Sequence, residues 1–122
     1  MRELDIYIKS KKAFGQFVKD FNMLFNLDLK IEENSDGYFC HYFCLDIESL
    51  LCDSHNMEDD LGIPFSDYSY CLSLIKLNRG GTKQEYNDLY ISMAKYYTEK
   101  ISSVLHENCI LVEDSQRILM KR

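Results

Sequence analysis

A chain of 122 residues has the length of one domain, and its single proline and five glycines leave little for linkers. The formal charge of -6 and pI near 5.0 exclude a general nucleic-acid binder, which needs clustered Lys and Arg to release counterions from phosphates. No apolar run approaches the roughly 18–20 residues needed to span a bilayer, so the composition describes a soluble chain, with residues 1–122 forming one domain.

Leu4, Ile6 and Ile8 alternate with Asp5, Tyr7 and Lys9, which predicts a first strand over residues 3–9. Ser10 is placed to cap a helix carrying Phe14, Phe17, Val18, Phe21, Leu24 and Phe25 on one face, with Gly15 allowing close approach to a sheet. The segments 27–33 and 38–47 flank Asn34-Ser35-Asp36-Gly37 and read as a hairpin, because Asp-Gly tolerates positive φ. Its second arm is apolar on both faces, as in a strand with cover on each side. A turn of helix is expected over 48–52. Residues 53–67 then form a loop with five carboxylates, Asp53, Glu58, Asp59, Asp60 and Asp67.

A strand resumes from Tyr68 to about Leu77 and stops at Asn78-Arg79-Gly80-Gly81. Thr82-Lys83-Gln84-Glu85 is a capping box, and the apolar spacing from Tyr86 to Leu105 predicts a helix of about 24 residues, roughly 36 Å long. Cys109 to Glu113 is a strong strand, and Ile118 to Met120 a weaker one. The order β-α-β-β-β-α-β defines an α+β fold: a mainly antiparallel sheet of four to six strands with two helices on one face, ferredoxin-like or related.

The chemistry-bearing side chains are sparse. Cys40, Cys44, Cys52, Cys71 and Cys109 are odd in number and sit in apolar runs, and the N-terminus lacks a basic-then-apolar export pattern; both features suit reduced thiols in the cytoplasm. Cys40, His41, Cys44, Cys52 and His55 are wrongly spaced for zinc, since Cys40 and Cys44 lie about 13 Å apart in a strand. Calcium is disfavoured because His55 and Met57 fall where a loop beginning at Asp53 needs oxygen ligands. Neither metal nor cofactor is expected. A nucleophilic cysteine needs a lowered pKa, which apolar surroundings oppose, so the chain does not read as an enzyme.

The stretch Glu58-Asp59-Asp60-Leu61-Gly62-Ile63-Pro64-Phe65-Ser66-Asp67-Tyr68-Ser69-Tyr70, with Asp53-Ser54-His55-Asn56 before it, resembles immunity proteins of bacterial contact-dependent growth inhibition and related polymorphic toxin systems. By motif the resemblance spans roughly residues 45–77. It implies a cytoplasmic antidote that occludes a cognate C-terminal toxin domain, a basic nuclease attacking tRNA or other RNA. Asp53, Glu58, Asp59, Asp60 and Asp67 would then replace substrate phosphates before the nuclease's Lys and Arg, with Tyr68 and Tyr70 as amphipathic anchors. The partner is thus a protein, not nucleic acid or membrane. A homo-oligomeric small-molecule sensor, using an aromatic sheet face, is the alternative.

Overall fold

A computed structural model describes residues 3–77 and 84–122. The chain runs β1 (Leu4–Lys9), α1 (Phe14–Phe25), β2 (Glu32–Asn34), β3 (Gly37–Cys44), β4 (Ile47–Cys52), a 3₁₀ turn (Phe65–Asp67), β5 (Tyr70–Lys76), α2 (Gln84–Leu105), β6 (Asn108–Glu113) and β7 (Arg117–Lys121). The architecture is α+β, with seven antiparallel strands in the order β2-β3-β4-β5-β1-β6-β7. Four to six strands were expected. The pairing does not confirm a ferredoxin-like order, because β2 to β5 form a continuous meander and β1 lies between β5 and β6, antiparallel to both.

The extra strand is β4, where a helical turn was expected. Ile47, Ser49 and Leu51 are buried alternately, which is strand periodicity. Leu45 and Asp46, at φ 52° and 64°, form the two-residue reversal that returns β4 onto β3. The first hairpin arm is correspondingly shorter. Leu27–Ile31 does not pair, because the Asn22 side chain on α1 holds Leu29 through bonds of 3.0 and 3.2 Å. Ser10 lies upstream of the helix it was expected to cap: α1 starts after Ala13, while Ser10 Oγ accepts from Lys12 N–H and donates to Glu107. Gly15 does not approach the sheet, since a Cβ there would meet open space. Of the capping box, Thr82 and Lys83 lie outside the described residues, as does the stop at 78–81.

Both helices pack on the sheet face carrying Leu4, Ile6, Ile8, Cys40, Leu51, Leu72 and Leu111. Phe17, Val18 and Phe21 come from α1, and Tyr90, Ala94, Tyr97 and Ile101 from α2. Each such large side chain removed from water contributes about 1.5–3 kcal/mol. Tyr90 also joins strands through polar contacts: its hydroxyl accepts from Leu4 N–H and donates to Leu74 O. Tyr42 and Tyr97 share a 2.7 Å hydroxyl bond between β3 and α2. No helix among the described residues is long and apolar enough to cross a membrane.

Candidate functional site

The loop joining β4 to β5 is a strap across the second sheet face. Its apolar residues decide its course. Ile63 and Phe65 are buried, and with Met57 and Tyr68 they pack onto Tyr7, Cys71, Ile110 and Val112, the outward residues of β5, β1 and β6. The segment Leu61–Phe65 is therefore divided: Ile63 and Phe65 belong to a second core, whereas Leu61 and Pro64 point to solvent.

Polar contacts fix both legs. Asp53 Oδ1 accepts from Tyr38 N–H at 3.1 Å and lies where a Cβ on Gly37 would come within 2.5 Å, so the first leg needs glycine at that turn, whose φ is +136°. Ser54 Oγ donates to Asp36 O. His55 Nε2 donates to Tyr68 O at 2.6 Å while Nδ1 accepts from Met57 N–H at 3.3 Å, which sets the tautomer. The ring stands edge-on to Tyr7 at 5.0 Å. His55, a possible metal ligand by residue type, instead ties the strap's two legs together.

At the crest, Asp60 and Ile63 exchange backbone bonds of 3.3 and 2.7 Å around Leu61 and Gly62, both at positive φ. Asp60 Oδ1 accepts from Leu61 N–H, and Asp59 Oδ1 accepts from Ser66 N–H at 2.8 Å. That donor holds the Asp59 carboxyl below its usual range, so it stays ionised further into acid. Glu58, Asp59 and Asp60 are consecutive and exposed.

The seven residues expected to act together do not form one group. Glu58, Asp59 and Asp60 form the exposed crest, and Asp53 anchors its first leg. Asp67 is exposed but lines an end groove of about 660 Å³ with Lys9, Lys11, Lys12 and His106, which sets it beside the chain's own cations. Tyr68 and Tyr70 retain only 8% and 7% exposure. Tyr70 belongs to the helix-side core, against Phe14 and Phe17, with its hydroxyl donating to Lys12 O. Neither tyrosine is a surface anchor in this fold, because the expectation took polar tips as evidence of exposure, whereas strand alternation and strap packing bury the rings.

The cations with described ion pairs are used elsewhere: Lys12 with Asp20 and Glu107, Lys30 with Asp28, Arg117 with Glu113 and Arg122 with Glu99. Among the described residues, no ion pair involves Asp53, Glu58, Asp59, Asp60 or Asp67. Nor, among those residues, does any group of three His, Cys, Asp or Glu side chains have the placement to hold a metal. Burial pushes the Cys40 thiol up to about 11 and the Cys109 thiol up to about 12, and raises Cys52 and Cys71 as well. Such thiols are poor nucleophiles at neutral pH.

The second face also holds residues that the sequence reading passed over. Asp5, on β1, sits in a hollow of about 220 Å³ with Glu3, Leu50, Ser73 and Ile75. Burial, then the neighbouring Glu3 and Asp114, raise its pKa, against a hydrogen bond from Ser73. The alternation of β1 was read for its apolar side, and nothing local marks Asp5 as half-buried. No family model matches the chain, and no curated protein matches its sequence.

Proposed function

We propose that this chain is an immunity protein, an antidote that binds a basic toxin nuclease, an RNase or tRNase delivered by a neighbouring cell, and occludes its active site in the cytoplasm. The carrying observation is the strap crest, where Glu58, Asp59 and Asp60 are exposed and without a described intramolecular cation. Carboxylates held on a rigid backbone resemble a run of phosphates to a nuclease cleft, and close interfacial charge pairs reach coupling energies of about 1.5–7 kcal/mol. Pre-organisation adds to this, because Phe65, Ile63 and the His55 clamp order the strap before any partner arrives. Inhibition on this reading is stoichiometric, with no catalysis and no cofactor.

The test is complex formation with a nuclease domain encoded beside this chain's gene. Changing Glu58, Asp59 and Asp60 together to Lys is expected to weaken the complex at least a hundredfold, equivalent to about 2.7 kcal/mol or more. Unchanged affinity in that variant, measured by calorimetry, removes the crest from the site. The homo-oligomeric sensor draws on a different feature, the exposed aromatic side chains of β3, and predicts self-association and no nuclease complex.

A further inference from the structure

The strap covers only half of the second face. Strand register sets the outward residues in rows: Ile110, Tyr7, Cys71, Cys52, Phe39 and Glu32 in one, and Val112, Asp5, Ser73, Leu50 and His41 in the next. A third row holds Ile75, Glu48 and Phe43. The buried members of these rows, Tyr7, Cys71, Ile110 and Val112, belong to β1, β5 and β6. On β3 and β4 no outward residue is buried, and Phe43 is 62% exposed. Ile75 continues the apolar surface at 41% exposure.

Carboxylates outnumber the basic groups on this bare half. His41 sits between Glu32 and Glu48, 3.2 Å from each. Glu3 and Asp5 line the hollow on one side of Leu50, and Asp36 and Asp53 line a second hollow, of about 190 Å³, on the other. Lys76 lines the first hollow too, with its ammonium bonded to Asn87 and lying over the Tyr90 ring. Asp5 gains from an approaching cation, since its carboxylate is disfavoured by burial and by Glu3 and Asp114.

Among the described residues the adjoining sheet edge is open as well. β2 pairs only with residues 37–39 of β3. Tyr38 O accepts from Asp53 N–H, so the even residues of β3 bond towards β4, and the N–H and C=O of His41 and Phe43 point past the end of β2. Leu29, which would otherwise lead towards that edge, is held on α1 by Asn22.

We propose that the β2–β3–β4 half of the second face, with the open edge of β3 beside it, takes a cationic extended segment of a partner protein. Backbone pairing at His41 and Phe43 supplies register, Phe39, Phe43, Leu50 and Ile75 supply apolar contact, and the carboxylates select arginine or lysine. A second copy fits poorly, because edge-to-edge pairing brings Glu32, Glu33 and Glu48 of two acidic chains together. The proposal shares with the antidote reading a basic protein partner, but places an anchor of that partner away from the strap.

The experiment is an NMR titration of the full labelled chain with a peptide alternating arginine and valine, and with its glutamate counterpart. Shifts centred on the amides of His41, Phe43, Leu50 and Ile75 are expected, with slowed exchange at His41 and Phe43. Phe43→Ser, at an exposed site, should weaken binding at least tenfold, and the glutamate peptide should not bind. Shifts confined to residues 58–60, equal binding of both peptides, no binding, or the same shifts on concentrating the chain alone each overturn the proposal. The nuclease complex separates the two readings: loss with the strap triple variant but not with Phe43→Ser leaves only the antidote site, and the reverse leaves only this face.

Discussion

The two halves of the second sheet face differ in what completes them. Over one end of β1, β5 and β6 the chain supplies its own cover, and Ile63, Phe65 and Tyr68 bury Tyr7, Cys71, Ile110 and Val112. Over β3 and β4 the described residues supply none, although Phe39, Phe43 and Leu50 are apolar as well. The loop of residues 53–69 cannot cover seven strands, and it has both ends at the same end of the sheet, where Cys52 and Cys71 are paired. The apolar residues therefore lie inside on one half and outside on the other, and their energetic roles diverge.

The largest effect that sharpens the contrast is Phe65→Ala. Truncating a fully buried aromatic should cost about 3–5 kcal/mol in chemical denaturation, on the scale of a helix-side core residue such as Phe21. A loss below about 1 kcal/mol would mean that the strap is a surface loop rather than a second core. Gly37→Ala tests the first leg. The positive φ and the contact with Asp53 should together cost about 1–3 kcal/mol, and combining it with Asp53→Ala should be less than additive, since that change removes the contact but not the backbone strain.

Asp5→Asn examines the bare half by pH. The folded Asp5 pKa is raised above its ordinary value, so its protonated form is favoured in the fold; its contribution is present below the unfolded pKa and is lost as pH rises through the folded one. Asp20, lowered by its Lys12 hydrogen bond, and Asp59, lowered by Ser66 N–H, contribute in the opposite sense and lose stability on acidification. Replacing Asp5 should raise stability at pH 7 and leave the wild-type value nearly unchanged in strong acid, readable from denaturation midpoints against pH. The smallest effect belongs to Phe43→Ser, expected within about 0.5 kcal/mol of wild type because the ring is mostly in water already. A loss of several kcal/mol there would show that the face is not bare.

Much of the fold was legible. Helical spacing from Phe14 to Phe25 and strand alternation in Leu4, Ile6 and Ile8 marked elements whose inward faces are the ones buried. β4 was not legible, because the Leu45-Asp46 reversal lacks the Asn-Gly or Asp-Gly signal and both residues adopt positive φ only under the demand of β3–β4 pairing. For the candidate site, the acidic run Glu58-Asp59-Asp60 is evident in the sequence, and the structure leaves it exposed. Tyr68 and Tyr70 were not, since a tyrosine's amphipathic character is equally suited to a surface and to a core with a carbonyl in reach.

By itself the amino-acid sequence determined the short-range features: periodicity, the Asp-Gly turn, the acidic run and the net charge, all of which follow from neighbours a few residues apart. Tertiary structure alone decided that β1 enters between β5 and β6, that the strap lies on that half of the face, and that Asp5, Leu50 and His41 share a row across four strands. These depend on which strands pair and in what register, a choice made by long-range burial of apolar surface, for which no local pattern stands as a proxy.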